Sequence, residues 1–211
     1  MSRSFSVDAI VLATYNVGEA DRFCILFTRD RGRIAARASA ARRPGSKLGG
    51  ALLPFQRVQV EIREWNNGYA ITGARQQANA ISAATLPRFL MASEIIELLL
   101  ILLEEGESAP ELFDCVVEGL QGNVSSPLPY TLRILHLLGH MPSTDMPHFA
   151  AFSMPEKSCI ACWIEGNCQE ASVLSMGTER ALVSLCETLL SNHTSRKQRV
   201  PGIHRMMTML A

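Results

Sequence analysis

The sequence lacks the features that mark membrane-spanning and secreted proteins. Its longest unbroken apolar run, Leu98–Leu103, is far shorter than the ~20 residues that a membrane span needs. The first ten residues, MSRSFSVDAI, have no long apolar segment behind a basic start and do not resemble a secretory signal. Six irregularly spaced cysteines do not form a secreted disulfide pattern. We therefore expect a soluble cytoplasmic protein without a membrane segment and with reduced thiols.

Common catalytic motifs are also missing. Gly45, Gly49 and Gly50 are followed neither by Gly-Lys-Ser nor by a helix start, as a phosphate-binding loop requires. His136 and His140 are four residues apart, but no Glu lies between them as in metalloproteases, which favours a structural pair on a helix. No nucleophile elbow is present. We expect a protein that is not an enzyme.

The formal net charge of zero hides two halves of opposite sign. Residues 1–80 contain 12 Lys and Arg against 6 Asp and Glu, whereas residues 81–211 contain 8 against 14. The two halves therefore carry +6 and −6. This asymmetry predicts two functional surfaces on one chain, the first of them basic.

The basic half has the pattern of five short strands. Val58, Val60 and Ile62 alternate with polar residues, and the following Asn66-Asn67-Gly68 is a strong hairpin turn. The strands are expected at Ala9–Tyr15, Arg22–Thr28, Arg33–Ala38, Gln56–Arg63 and Tyr69–Arg75. Five short strands with glycine-rich turns predict a small Greek-key barrel of the OB type over residues 1–80.

The acidic half, residues 81–211, has the pattern of an α-helical domain. Helices are expected at Arg88–Glu104, Glu111–Gln121, Pro127–Leu138, Thr178–Ser191 and Ile203–Leu210, with an irregular segment over residues 143–158. Ser108-Ala109-Pro110-Glu111 resembles a capping box for the second of these. The fold class is therefore α+β, a barrel followed by helices.

One basic segment is a candidate nucleic-acid site. Six arginines and a lysine are opposed only by Asp30, and Pro44-Gly45-Ser46 with Gly49-Gly50 predicts a flexible loop. Arginine binds phosphate through two hydrogen bonds and stacks on bases, so a basic loop on a small barrel fits a strand-binding surface. A solvated loop that only aids solubility is the alternative. The seven cations are Arg29, Arg31, Arg33, Arg37, Arg42, Arg43 and Lys47.

A cysteine cluster resembles part of a zinc knuckle. Cys159, Cys162 and Cys168 supply three thiols where a structural zinc site normally has four ligands. A fourth ligand has to come from His148, Cys186 or His193, and the alternative is a lost site that binds no metal. We expect no required cofactor.

Several stretches, in their order and spacing, resemble the RecO family of bacterial recombination mediators over nearly the whole chain. They are Ala9–Leu12, Gly18–Arg22, Phe27–Arg33, Ala41–Pro44, Ala51–Phe55, Pro110–Phe113, Leu132–Leu135 and Leu138–Pro142. The sequence departs from the family at Ser39-Ala40, where Lys-Gly is usual, at Gly45, where Lys is frequent, and in the missing second cysteine pair of the zinc knuckle. The lost lysines remove two phosphate contacts.

The resemblance implies an OB-fold domain that binds single- and double-stranded DNA and anneals complementary strands. It also implies association with RecR, binding of the acidic C-terminal tail of SSB, help in loading RecA, and a location at the nucleoid. For the tail we expect Arg133 to bind a carboxylate, with Leu132 or Leu135 lining an apolar groove; an ion pair of Arg133 inside the protein is the alternative.

Two other classes of protein stay open. One is an OB-fold adaptor that binds RNA or protein without annealing strands, which a salt-sensitive annealing assay separates from a mediator. The other is a metal-dependent enzyme built on the cysteine and histidine residues, which metal analysis with a nuclease screen would detect.

Overall fold

A computed structural model describes residues 3–65, 68–77, 85–122, 126–142, 147–169 and 174–193. It contains five strands: β1 (Ser4–Val17), β2 (Asp21–Thr28), β3 (Gly32–Ala38), β4 (Arg57–Trp65) and β5 (Gly68–Gln76). The helices are α1 (Lys47–Ala51), α2 (Leu86–Leu102), α3 (Pro110–Gln121), α4 (Leu128–Leu137), α5 (Met154–Glu165) and α6 (Met176–His193), with a 3-10 turn at Pro147–Phe149. The α+β class with a barrel followed by helices is confirmed. The helix expected at Ile203–Leu210 lies outside the described residues.

The strands form a closed barrel in the order β1-β2-β3-β5-β4. β1 is long enough to pair with β4 through its first half and with β2 through its second, and its register shifts between Val11 and Ala13. A bulge of this kind bends a strand and helps a sheet to close. The parallel pairing of β3 with β5, which completes the closure, involves only 36–38 and 69–71.

The barrel core follows the alternation of the strands. Val58, Val60 and Ile62 of β4 are fully buried inside, as their spacing predicts. In β2, Cys24 and Leu26 occupy the core. The larger Phe27 therefore points to the outer face, where it is nevertheless fully buried.

Helix α3 explains why an outward residue is buried. The ring of Phe113 lies 5.5 Å from that of Phe27, and Asp114 forms an ion pair with Arg29 just beyond β2. The preceding segment also approaches the barrel closely, because a Cβ on Gly32 would collide with the carbonyl of Glu107. Gly32 has a φ of +60°, so glycine is required there both for space and for its conformation.

The chain divides into two compact units that are not continuous in sequence. The first contains residues 1–84 and 103–121, and the second contains residues 85–102 and 122–211. The predicted division at residue 80 differs from this one chiefly at 103–121, which joins the barrel. In the second unit α4 packs against α2, α5 and α6. None of the helices in the described part of the chain combines the length and apolar character that a bilayer span needs.

Helix α5 corrects the expectation that residues 143–158 are irregular. It begins at Met154, where Ser153 and Glu156 form a capping box and Pro155 occupies the first turn. The same pattern of Ser, Pro and Glu precedes α3. A capping box satisfies backbone donors at the helix start, so this local signal is sufficient to begin a helix.

Candidate nucleic-acid interface

The basic segment is held against the barrel and is not the flexible loop expected from its glycines. It includes β3, and beyond β3 it continues as a turn followed by the short helix α1. The Arg22 guanidinium on β2 donates hydrogen bonds to the carbonyls of Gly49 (3.0 Å) and Leu52 (2.9 Å). These carbonyls lie in α1 and at its C-cap, and carbonyls at the end of a helix have no hydrogen-bond partner within the helix. Arg22 therefore fixes α1 to the strand beside it.

Asp21 holds the other end of the same segment. Its carboxylate accepts hydrogen bonds from the backbone N–H of Ala40 (2.8 Å) and from Nε of Arg37 (2.8 Å). These bonds, the backbone one first, lower the pKa of Asp21. Ala40 has a φ of +55°, a conformation that favours glycine, and the bond to Asp21 helps to hold it there.

Three of the seven predicted cations are half-buried and engaged within the first unit. Arg29 pairs with Asp114. The guanidinium of Arg31 lies 4.0 Å from the ring centre of Phe5, a cation–π distance. Arg33 extends Nη2 to within 4.0 Å of Oε1 of Glu105. These three side chains therefore have structural roles in addition to any contact with a ligand.

The remaining four cations are exposed. Arg37 keeps 59% of its side chain exposed although it pairs with Asp21 at 2.6 Å. Arg42 donates a hydrogen bond to the carbonyl of Gly18 (3.0 Å), which ties the segment to the β1–β2 turn. Arg43 and Lys47 are exposed as well. The structure thus places Arg42 and Arg43 on the turn, Lys47 at the start of α1 and Arg37 on β3.

A groove opens where β3 and β5 separate beyond their short parallel pairing. Its volume is about 1160 Å³, and Arg31, Arg33 and Arg37 line it together with the acids Asp30 and Glu105. The groove also contains three aromatic side chains, Phe23, Trp65 and Tyr69. Cations beside aromatic rings are the combination that proteins use for unpaired nucleic acid.

The aromatic residues of this groove were missed by the sequence reasoning. Trp65 is 61% exposed. A signal was present, because Trp65 continues the polar face of β4 set by Arg57, Gln59, Glu61 and Arg63 and stands directly before the hairpin turn. An exposed aromatic residue on the same strand face as arginines is a combination that favours binding of unpaired nucleic acid.

The barrel region also matches a known protein family. Residues 1–85 match the family profile described as "Recombination protein O N terminal". The resemblance to the RecO family is confirmed. A DNA repair protein RecO from Caldanaerobacter subterraneus subsp. tengcongensis is 33% identical over 151 residues, which are 68% of this chain and 61% of the relative.

Two further RecO relatives extend this comparison. The protein of Nocardioides sp. is 34% identical over 148 residues, 65% of this chain and 61% of its own length. That of Geobacter sulfurreducens is 30% identical over 173 residues, 75% of this chain and 63% of its own. The chain therefore spans about three fifths of the length of the RecO proteins it matches.

The cysteines of the expected degenerate zinc knuckle lie on a helix and the turn after it. Cys159 and Cys162 lie one turn apart on α5 and not in a tight turn. The Cys168 thiol points to the carbonyls of Trp163 (3.5 Å) and Pro129 (3.8 Å). Within the described residues no three His, Cys, Asp or Glu side chains are grouped to hold a metal ion. The degenerate knuckle is thus part of a helix and its following turn.

Two of the three candidates for a fourth ligand, His148 and Cys186, have described side chains, and among the described residues neither is grouped with two other possible ligands. His148 lies in the 3-10 turn, and the side chain of His193 is outside what the structure describes. Burial raises the pKa of Cys186 to about 12.

The structure also corrects the expectation that Leu132 or Leu135 lines a partner-binding groove beside Arg133. Leu132 and Leu135 are fully buried among the helices of the second unit, so neither can line a surface groove. Arg133 is half-buried, and its guanidinium lies next to Gly166, the C-cap of α5. A cation is favoured at this negative end of a helix. We find no ion pair of Arg133 among the described residues, so the alternative of an internal pair is not observed there.

Proposed function

We propose that this chain binds DNA through its barrel and acts in DNA repair and homologous recombination without catalysing a reaction. The observation that carries the proposal is the joint placement of cations and aromatic rings on the barrel. Arg42, Arg43 and Lys47 form an exposed cluster on the turn after β3 and the start of α1, and a groove with three arginines lies on β3. Phosphate contacts of this kind give affinity for any DNA sequence.

The names of the relatives support the biological setting. The matched proteins are called DNA repair protein RecO, and the match includes the whole barrel. On this basis we propose that the chain is a recombination mediator. The chain anneals complementary strands, acts with RecR, binds the acidic tail of SSB and helps RecA to load on SSB-coated single strands, and it does so in the cytoplasm at the nucleoid.

The proposed DNA contacts differ among the seven cations. Arg42, Arg43 and Lys47 contact phosphates without giving up an ion pair. Arg37 shares its guanidinium with Asp21, and Arg29, Arg31 and Arg33 bind DNA only as far as their internal partners allow. The affinity for DNA therefore depends most on the exposed cluster.

An annealing assay tests this function. Complementary single strands coated with SSB are mixed with and without the protein, and duplex formation is followed over a series of salt concentrations. We expect faster annealing, weakened by salt because counterions compete for the phosphates. Salt-sensitive binding of RNA or protein without any annealing of DNA would contradict the mediator and favour an OB-fold adaptor.

A further inference from the structure

Trp65 occupies an unusual place for a tryptophan. It is the last residue of β4, and its partner across the hairpin is Gly68 at the start of β5. Glycine offers no side chain for the indole to pack on, which is one reason why the ring remains 61% exposed. An exposed large aromatic ring beside a groove is available to a ligand.

Two small residues line the groove next to the indole. Ala35 of β3 and Ala70 of β5 have small side chains and line the groove with Trp65. Ala70 lies opposite Arg37 in the parallel pairing, and the Arg37 guanidinium, which lines the same groove, is held by Asp21. A volume of about 1160 Å³ is slightly above the roughly 300–1,000 Å³ of small-molecule sites. The groove therefore has room for more than a single small ligand.

We propose that this groove binds an unpaired nucleotide strand, with one base stacked on the indole of Trp65 and its phosphates beside Arg33 and Arg37. The inference rests on the proposed function and names the form of nucleic acid that the groove selects. An acidic peptide would also find the arginines, but it has no flat ring for the indole. The combination of ring and cation favours the nucleotide.

Stacking on Trp65 should make the groove selective for single strands over duplexes. In a duplex each base is already stacked and paired, so its face is not available to the indole. Phosphates are available in both forms, and the exposed cluster of Arg42, Arg43 and Lys47 therefore binds both. Trp65 consequently adds affinity for single strands alone.

Tryptophan fluorescence tests the proposal in the unmodified full chain. The sequence has two tryptophans, and Trp163 is only 2% exposed, so a ligand that stacks on an indole affects Trp65. Oligothymidylate, which forms no pairs with itself, should quench the emission, and a hairpin duplex at equal occupancy should not. Trp65→Phe should abolish the quenching. Equal quenching by both DNA forms, or none by bound oligothymidylate, would overturn the proposal.

Affinities of two variants complete the test. Trp65→Ala should bind oligothymidylate about 5- to 150-fold more weakly, the range of one stacked base, with duplex affinity unchanged. Trp65→Phe keeps an aromatic ring and should lose less. Circular dichroism and thermal melting establish that both variants fold.

The two proposals fail in different ways. If Trp65→Ala binds single strands like wild type while Arg42→Ala/Arg43→Ala loses both DNA forms, stacking is refuted and the DNA-binding function stands. If wild type binds neither form, the proposed function fails. Quenching by an acidic peptide but not by oligothymidylate would identify the groove as a peptide site and refute the inference.

Discussion

Glu105 should oppose nucleic-acid binding at the groove, and Glu105→Gln tests this directly. Its carboxylate lies 4.0 Å from the Arg33 guanidinium and is 69% exposed, so it competes with a phosphate for the same cation. The substitution removes the negative charge and keeps the size of the side chain. We expect tighter binding of single strands.

The expected gain follows from the distance. A phosphate bound to Arg33 lies about one hydrogen bond farther away, at ~7 Å from the Glu105 carboxylate. In a water-like dielectric the repulsion across ~7 Å is about 0.6 kcal/mol, which corresponds to about threefold in affinity. If Arg33 then gains a full phosphate contact, the log-log salt slope for single strands steepens by about 0.7. An exposed ion pair contributes only ~0–1 kcal/mol to folding, so the variant should remain folded.

Fluorescence anisotropy with a labelled oligothymidylate in a salt series measures both quantities. Glu104→Gln is the matched control, because Glu104 is an exposed neighbour with the same charge that does not line the groove. The control should change affinity less and leave the slope as it is. If both variants gain equally, only the net charge of the protein matters, and the local competition at Arg33 is refuted.

Four other perturbations give separate checks. Arg42→Ala/Arg43→Ala should weaken binding to all DNA sequences and lower the log-log salt slope by about 0.7–0.9 for each lost contact; an unchanged slope in a folded variant contradicts the assignment. Hydrogen bonds from Thr178 and from the start of α5 lower the pKa of Glu156 to about 2, so its stabilisation is fully present above the ordinary carboxyl pKa and is lost as pH falls below that pKa towards about 2. Glu156→Gln should therefore lower the Tm at neutral pH, with a difference from wild type that shrinks on acidification; a difference independent of pH argues against this role. Arg133→Ala removes the cation beside the C-cap of α5 and should lower the Tm by an amount equivalent to the roughly 0.3–1 kcal/mol that such a cation contributes, with DNA binding intact; an unchanged Tm contradicts this role. A strong chelator should leave helicity and Tm unchanged, because three cysteines are one ligand short of a closed zinc site; one zinc per chain with unfolding on chelation would show that a distant residue completes it.

The positions of the strands could be predicted from local pattern, but which face of each strand points into the barrel could not always be predicted. Val58, Val60 and Ile62 alternate and face the core. Phe23 and Phe27 alternate just as clearly and face outward, because α3 brings Phe113 to the outside of the barrel. That contact joins residues far apart in sequence, and periodicity within one strand contains no information about it.

The positive charge of the candidate site could be predicted from the sequence, but the groove and the ion pairs of its arginines could not. The cluster of arginines is visible in the sequence, whereas their engagement by Asp114, Glu105 and Asp21 depends on folding. The groove and its Trp65 result from the separation of two strands that are distant in sequence. In the helical half, the capping box at Ser153 could have predicted α5, because the same pattern at Ser108 predicted α3.

The covering of Phe27 by α3 has a consequence for how the protein is made. Phe27 leaves the ribosome long before Phe113, and at 5–20 residues per second the delay is roughly 4–17 s. During that interval the nascent barrel exposes an aromatic residue that the finished protein buries completely. A recombinant fragment that stops near residue 80 retains this exposure permanently, since the helix that covers the strand is synthesised only after the first helix of the other unit. The barrel is complete in its strands at residue 76, yet its surface is complete only at residue 121.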